Sequence, residues 1–389
     1  MERCIVKGSE FQYLNHPWVY SGNVLECNAE RGSCVEVYTR KGVFLGSAIY
    51  NPESSIALRF YSRNREELNY FRIKERLLVA YEKRKDLFES PYYRLVYSES
   101  DNLPGLIVDT YGEGLVFQIN SVGLEIRRED LIKALYDAFS PKFIVEKSTG
   151  FSRKQEGLPD REEIILNKDG LNLNRVIVEE GGFRFYVDIV SGQKTGFFYD
   201  QRRNREILVN YFSGGLVLDV FSYIGAFSIM LAPKAEKVFA VDISSDALSI
   251  LKENIRLNNL SEKKFVIETK DAFEFLKELA DLKLKFDLIV LDPPSMVRRS
   301  KELENGIKAY INLLLDSVGI LNRNGFIGVF SCSNHIKWDH VHEIVSKGTA
   351  VKGRSFRIIE YFHQDFRDHL VPAGFPEAEY LRGVLLKED

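Results

Sequence analysis

The chain has few cysteines, no long uncharged apolar run and no dominant sign of charge, and each absence removes a class of protein. Four cysteines in 389 residues, Cys4, Cys27, Cys34 and Cys332, make neither a disulfide framework nor a CxxC metal pair. A reducing, cytoplasmic setting with no metal centre is the expectation. The longest apolar stretch, LVLDVFSYIGAFSIMLAP, is broken by Asp219 and by Ser and Gly, short of the roughly 20 continuous apolar residues of a membrane helix. The first residues, MERCIVKGSEF, contain no apolar core of a secretory signal. Charge is nearly balanced, with 53 Lys and Arg against 56 Asp and Glu for a net −3. A nucleic-acid partner is held largely through cationic contacts to phosphate, so the mean argues against one, although a mean hides patches. Internal repeats and low-complexity tracts are absent as well.

What is present is ordinary globular material, 45% hydrophobic and 28% charged, in a length that suggests two or three domains. Residues 1–72 read as short strands between turn signals (CIVKG, WVYSGNV, SCVEVYTR, KGVFLGSAIY, SIALRFYSR), the pattern of a small closed or nearly closed β-barrel. REELNYFRIKERLLVAYEKRKDLF has apolar residues at helical spacing and reads as an amphipathic connecting helix. Residues 73–172 then hold a small α+β unit. Over 173–389 strands and helices alternate, which predicts an α/β, Rossmann-like, doubly wound parallel sheet. Ligands of such a sheet bind outside the carboxyl ends of its strands.

The loop after the first of these strands is VLDVFSYIGAFS. It lacks the G-x-G-x-x-G of a dinucleotide site: only Gly225 is present, and Phe221 and Tyr223 stand where a diphosphate would need bare backbone. Asp219 at the strand end suits instead a cationic ligand with an amino group, which describes S-adenosylmethionine. Asp242, 23 positions further on in VDIS beside Ile243, can accept from both ribose hydroxyls. Asp271, before Ala272 and Phe273, can accept from an adenine amino group. Any one of these acids can equally cap the helix that follows it. Asp292-Pro293-Pro294 closes the fourth strand, and two prolines fix a rigid loop that aims the carboxylate at whatever binds there.

The fifth strand ends FSCSNH, bringing Cys332 to the same edge. A thiolate there can act as a nucleophile, though a free cysteine is more often simply buried. Cytosine C5 is a poor nucleophile towards a methyl sulfonium, whereas thiolate attack on C6 makes C5 enamine-like. An acid at N3, for which Asp292 is the candidate, favours that adduct. The base must leave its stack to reach the thiol.

These residues resemble the class I S-adenosylmethionine-dependent RNA cytosine-5 methyltransferases of the large-subunit ribosomal RNA methyltransferase I type, which begin with a PUA domain. GSEFQYLNHPWVYSGNV resembles the start of the family's barrel, GGFRFYVDIVSGQKTGFFYDQRRNR its linking segment, VLDVFSYIGAFS, VDIS, DPPS and SCS its later motifs, and GFPEAEYLRGVLL its C-terminal segment. The resemblance implies S-adenosylmethionine as donor, Cys332 as nucleophile, a cytosine in ribosomal RNA as acceptor and an EEHEE-type central domain. Ser295 follows Pro294, so the two-cysteine variant of the chemistry is not supported.

In the linking segment, Gln193 is assigned to the cofactor, Lys194 and Thr195 to the substrate, and Arg202 to a carboxylate or phosphate; the bland alternative is a solvated helix. Basic residues cluster at Arg59–Arg94, where ten face six acidic residues, at Arg202, Arg203 and Arg205, and at Arg298, Arg299 and Lys301 beyond Asp292-Pro-Pro. With Pro293, Pro294, Lys194 and Thr195, Arg298 and Arg299 are the expected RNA contacts. A homodimer would enlarge an RNA-binding surface through its paired barrels. Uridine-5 or guanine-N7 methylation, or RNA binding without catalysis, are the alternative readings.

Overall fold

The computed structural model describes residues 1–389 and divides them into two compact units. The first comprises residues 1–176, 188–199 and 366–378, and the second 177–187, 200–365 and 379–389.

The first unit opens with six strands, β1 (Glu2–Val6), β2 (Trp18–Tyr20), β3 (Val24–Cys27), β4 (Cys34–Thr39), β5 (Phe44–Tyr50) and β6 (Ile56–Ser62), in the order β2-β6-β5-β4-β1-β3. The segment read as one strand, WVYSGNV, is two, because Ser21–Asn23 forms a 3-10 turn between β2 and β3. Alternation sends Val35 and Val37 of β4 into the barrel core with Val6, Val19, Leu58 and Phe60. Cys4 and Cys27, where no disulfide framework was expected, face each other in the β1–β3 register with Cα atoms 4.3 Å apart and are joined as a disulfide. Directly opposed positions in an antiparallel pair have that closeness, which spacing along the chain does not show.

A five-stranded sheet follows in the order β11-β10-β9-β8-β7, built from β7 (Arg94–Tyr97), β8 (Leu106–Tyr111), β9 (Gly114–Ile119), β10 (Phe143–Ser148) and β11 (Arg161–Asn167). The helix expected as a connector, Tyr70–Glu82, starts where Asn69 accepts from the Arg72 N–H, and it is part of this core. Its Ile73, Leu77 and Ala80 pack with Leu131 and Leu135 of helix Arg128–Phe139 and with Leu95, Val108 and Phe117 of the sheet. Burying each larger aliphatic contributes about 1.5–3 kcal/mol, so Leu77 anchors the helix rather than merely linking domains.

Part of the basic run from Arg59 to Arg94 is spent internally, while Arg63, Arg65, Arg72, Lys83 and Lys85 stay exposed. Arg84 has no exposed surface and forks onto Asp101, with Nη1 and Nη2 at 3.0 and 2.7 Å. Arg59 grips Glu99 and Glu156, Arg76 grips Glu66, and Arg94 holds Asp109. Four of the ten cations are thus committed to acids of the fold, which reduces the surface share of the positive excess without abolishing it.

The second unit starts with a hairpin of β12 (Val176–Glu180) and β13 (Phe183–Val187), turned by Gly181 and Gly182 at φ +59° and +80°. The side chains of Asn254 in helix Ser245–Leu257 and of Asn258 at its C-cap accept from the Tyr186 and Arg184 N–H groups and fasten the hairpin down. The main sheet contains β14 (Gly215–Val220), β15 (Ala235–Asp242), β16 (Phe265–Thr269), β17 (Phe286–Leu291), β18 (Leu321–Ser331), β19 (Phe356–His363) and β20 (Arg382–Glu388). Their order is β16-β15-β14-β17-β18-β20-β19. Val217 and Leu288 enter one core while Leu218 and Ile289 enter the other, so both faces are covered and the strands read as unbroken apolar runs. One strand departs from the expected parallel sheet: β20 is antiparallel to β18 and β19. The link from β19 to β20 contains only the short turn Pro376–Ala378 and no crossover helix, and a parallel return needs one.

Candidate functional site

Parallel register puts β14, β15, β16 and β17 side by side with their carboxyl ends together, and the four acids read from sequence follow from that. Asp219 is 1% exposed, and its Oδ2 accepts from the Ser228 N–H and hydroxyl at 3.0 and 2.6 Å. Burial pushes this carboxyl up to about 6, and Asp242 adds to the rise, while the Ser228 bonds and Arg205 pull the other way. Its Oδ1 has no hydrogen-bond partner, nor does the buried Ser222 hydroxyl three residues on. Two unsatisfied polar atoms at one strand end are costly in a closed protein and suit a polar ligand.

The loop itself is unusual. Phe221 and Tyr223 hold φ of +65° and +50°, the left-handed region, where a glycine would pass without strain. Such conformations cost about 1–3 kcal/mol each and persist where the surroundings impose them. Here the Ser222 N–H donates to Val241 O at 3.0 Å and the Tyr223 N–H to Asp242 Oδ2 at 2.9 Å, stitching the loop to β15. Gly225 also turns in the left-handed region, at φ +80°, and a Cβ there would lie 2.1 Å from Leu251 Cδ1. Asp242 also accepts from the Ser244 N–H, and the neighbouring Ile243 is 76% exposed, an apolar face beside the carboxylate. Asp271 realises the capping alternative: its Oδ1 accepts from the Phe273 and Glu274 N–H groups at the start of helix Ala272–Asp281, with Ala272 buried behind it.

Asp292 follows β17 and Cys332 follows the neighbouring β18, whose register pairs Leu291 with Val329. The Cys332 thiol points at the Pro293 carbonyl, 4.0 Å away, and the Ser333 hydroxyl donates to Val297 O at 2.6 Å. Ser295 donates to the same carbonyl at 3.0 Å. The DPPS and SCS loops are thus knitted into one rigid wall. Cys332 and Asp292 are half-buried, whereas the other free thiol, Cys34, is buried and takes a bond from Arg127 Nη2. Pro293 is buried and Pro294 exposed; Arg298, Arg299 and Lys301 are all exposed at the end of this loop.

The linking segment behaves differently. Gln193, Lys194 and Thr195 belong to the first unit, where Thr195 is buried, donates to Asp109 Oδ2 at 2.6 Å and accepts from the Tyr111 hydroxyl at 2.8 Å. The Lys194 ammonium lies over the Phe198 ring, and Gln193 is exposed. The carboxylates near Arg202 are Glu180 at 3.2 Å and Asp365 at 3.6 Å, with Arg205 sharing Glu180. Helix Arg202–Tyr211 accordingly buries Arg202, Asn204, Arg205 and Leu208 and is no solvated face. Sequence reasoning missed Ser228, Ser333 and the acids Glu180 and Asp365. The two serines stand inside the quoted motifs, but nothing in their spacing separates a hydroxyl that holds the site from one that faces water.

Family models match residues 13–63 as a PUA-like domain and residues 176–344 as a TRM5/TYW2 methyltransferase domain. A protein of Vibrio vulnificus named ribosomal RNA large subunit methyltransferase I is 33% identical over 392 residues, covering 98% of this chain and 98% of the relative. The chain belongs to the ribosomal RNA large subunit methyltransferase I family. A Yersinia pseudotuberculosis member is 34% identical over 97% of both chains. In fold, a methyltransferase from Streptococcus mutans superposes with a TM-score of 0.85 at 22% identity over the whole of both chains. Another solved methyltransferase, with S-adenosylhomocysteine bound, gives 0.86 at 21% identity. This family member is an S-adenosylmethionine-dependent methyltransferase with a PUA-like N-terminal domain. The buried orphan atoms of Asp219 and Ser222, the acid Asp242 and the exposed Ile243 fit that cofactor. No helix is long and apolar enough to cross a membrane.

Proposed function

We propose that the enzyme methylates C5 of a cytosine in large-subunit ribosomal RNA through a covalent bond between Cys332 and C6 of the base. The observation that carries this reading is the knitted pair of loops, which sets a half-exposed thiol at the Pro293 carbonyl and beside the Asp292 strand end. S-adenosylmethionine supplies an electrophilic methyl group on a sulfonium. Asp219 and Ser222 would hold its polar end, Asp242 its ribose, and Ile243 and Asp271 its base.

The Cys332 thiolate attacks C6 and forms the S–C6 bond, pushing the C5=C6 π electrons into the ring. A proton passed from the Asp292 carboxyl to N3 offsets the charge that gathers there and returns to the carboxylate when the thiolate is expelled. C5 is then nucleophilic enough to take the methyl group. Loss of the C5 proton to a base restores the C5=C6 bond and expels the thiolate, which leaves Cys332 unchanged. Because both thiol and base must meet at one edge of the sheet, the target nucleotide is flipped or single-stranded.

RNA contact is supported by the exposed Arg298, Arg299 and Lys301 beside the DPPS loop. In the barrel, Lys7, Arg40 and Lys41 line a groove with the exposed Phe11, a combination suited to phosphate and base stacking. Cys332→Ser tests the reading: methyl transfer to ribosomal RNA should vanish while S-adenosylhomocysteine affinity stays unchanged. Mass mapping of the parent's product should find 5-methylcytosine. Full activity in the variant, or methyl groups on another base, would overturn it.

A further inference from the structure

The loop after Cys332 leads to a row of aromatic rings that the chemistry above does not use. Ser331 of β18 stands opposite Arg382 of β20, and Arg382 stands opposite His363 of β19. His363 therefore closes the outermost strand at the catalytic edge, two strand spacings or about 10 Å from the residue before the thiol. Arg382 donates from Nη1 to Ile336 O at 3.1 Å, which fixes the loop against β20. At the end of that loop Trp338 opens helix Trp338–Gly348. Its ring meets His363 at 5.1 Å and Tyr361 at 5.4 Å, both edge to face, and Tyr361 meets His342 at 5.9 Å. Alternation along β19 puts Tyr361 and His363 on one face, and a spacing of four puts Trp338 and His342 on one side of the helix. Four rings thus run from the catalytic edge along the seam between helix and edge strand.

Packing alone does not call for this composition. Tyr361 is 45% exposed, the His363 side chain 35%, and His342 also faces solvent. Two imidazoles and a phenol keep ring surface open where aliphatic side chains would close the seam. Tyr361 is the one large apolar side chain exposed on this helix and on β18, β19 and β20, so no contiguous apolar patch marks a protein interface. Exposed Lys337 and Asp339 flank Trp338 with opposite charges, and Glu379 and Glu343 are paired with Arg382 and Lys347. The surface offers ring faces rather than net positive charge.

We propose that the rings of Trp338, Tyr361 and His363 form a stacking subsite for an unpaired nucleobase of the substrate RNA, next to the flipped target. This rests on the reading that an RNA strand lies along the Cys332 edge. A base drawn to the thiol leaves its neighbours unstacked, and the nearest aromatic surface on this side of the edge is the row that begins at His363. Every nucleobase has a π face, so such a subsite holds the strand whatever its sequence. The division of labour is then simple: Arg298, Arg299 and Lys301 take phosphates on one side of the thiol, and the rings take a base on the other.

The test uses the full-length protein and an oligouridine carrying 5-iodouridine, which cross-links on irradiation to aromatic side chains it stacks on. Peptide mapping should place cross-links at Tyr361, Trp338 or His363, in the parent and equally in Cys332→Ser. Three variants then weigh the ring: Tyr361→Phe keeps the π face, Tyr361→Leu keeps apolar packing without it, and Tyr361→Ala removes both. RNA affinity should be that of the parent in the first and fall about five- to a hundredfold in the other two. Methylation should follow as a raised KM for RNA with kcat unchanged. The slope of log affinity against log salt should not move, because no phosphate contact is lost. Cross-links that map only elsewhere, or Tyr361→Leu binding RNA as tightly as the parent, would overturn the subsite and leave the rings as packing. The cross-link map needs no variant, so it decides the matter if a substitution costs stability. Activity retained in Cys332→Ser would sink the nucleophile and leave this subsite standing.

Discussion

Two basic stretches of this chain look alike in sequence and fare differently in the fold. In the run from Arg59 to Arg94, four arginines, Arg59, Arg76, Arg84 and Arg94, fold inward onto Glu66, Glu99, Asp101, Asp109 and Glu156 and hold the first unit together. The shorter cluster of Arg298, Arg299 and Lys301 stands in solvent at the end of the DPPS loop. The acids that hold these four arginines come from positions up to 97 residues away, which no local charge count sees. Net charge over a segment therefore says little about a nucleic-acid surface until the partners are placed.

The contrast can be broken most sharply at Arg84. Replacing it with alanine strands the buried Asp101 carboxylate, and we expect about 3–5 kcal/mol of lost stability in urea unfolding. A variant as stable as the parent would show that the inward run is not structural after all. A buried acid at the other unit's catalytic edge offers a second probe. The folded-state carboxyl of Asp219 sits near 6, above the ordinary 3.8. Its protonated form thus contributes stability that is fully present below about 4 and lost as pH rises through about 6. A cationic cofactor group prefers the ionised form, so cofactor affinity should climb by up to about tenfold per pH unit below 6 and level off above it. Calorimetry on the parent and on Asp219→Asn checks this: the variant should bind weakly with a flat pH profile, and a parent profile already flat would contradict the assignment.

The smallest effect is expected at the exposed cluster. Arg298→Ala with Arg299→Ala should leave melting unchanged and reduce the slope of log affinity for RNA against log salt by about 2. An unchanged slope would place the RNA backbone elsewhere, whereas a melting drop would erase the distinction between the two stretches.

Much of this was legible beforehand because a doubly wound sheet converts sequence order into position. Apolar runs ending in Asp219, Asp242 and Asp292 read as parallel strands, and such strands leave their last residues at one edge. Cys332 beside Asp292 followed from the same rule. Other features depend on contacts that no period encodes. β20 is reversed because its link carries no crossover helix, and the β12–β13 hairpin was overlooked although Gly181-Gly182 between β-rich runs is a turn signal. Arg202 looked available for a ligand until Glu180 and Asp365, far apart in sequence, appeared beside it.

The central claim is the covalent bond from Cys332 to the base, and fluorinated RNA tests it most directly. A fluorine at C5 cannot leave as a proton does, so the adduct stops after methyl transfer with its S–C6 bond intact. With 5-fluorocytosine in the large-subunit RNA and S-adenosylmethionine present, denaturing electrophoresis should show a stable protein–RNA species. Peptide mapping should place its cross-link at Cys332. The species should be absent with Cys332→Ser and with 5-fluorouracil RNA. Trapping only with fluorouracil would move the target base, and no trapped species from RNA that the enzyme still methylates would contradict the covalent mechanism itself.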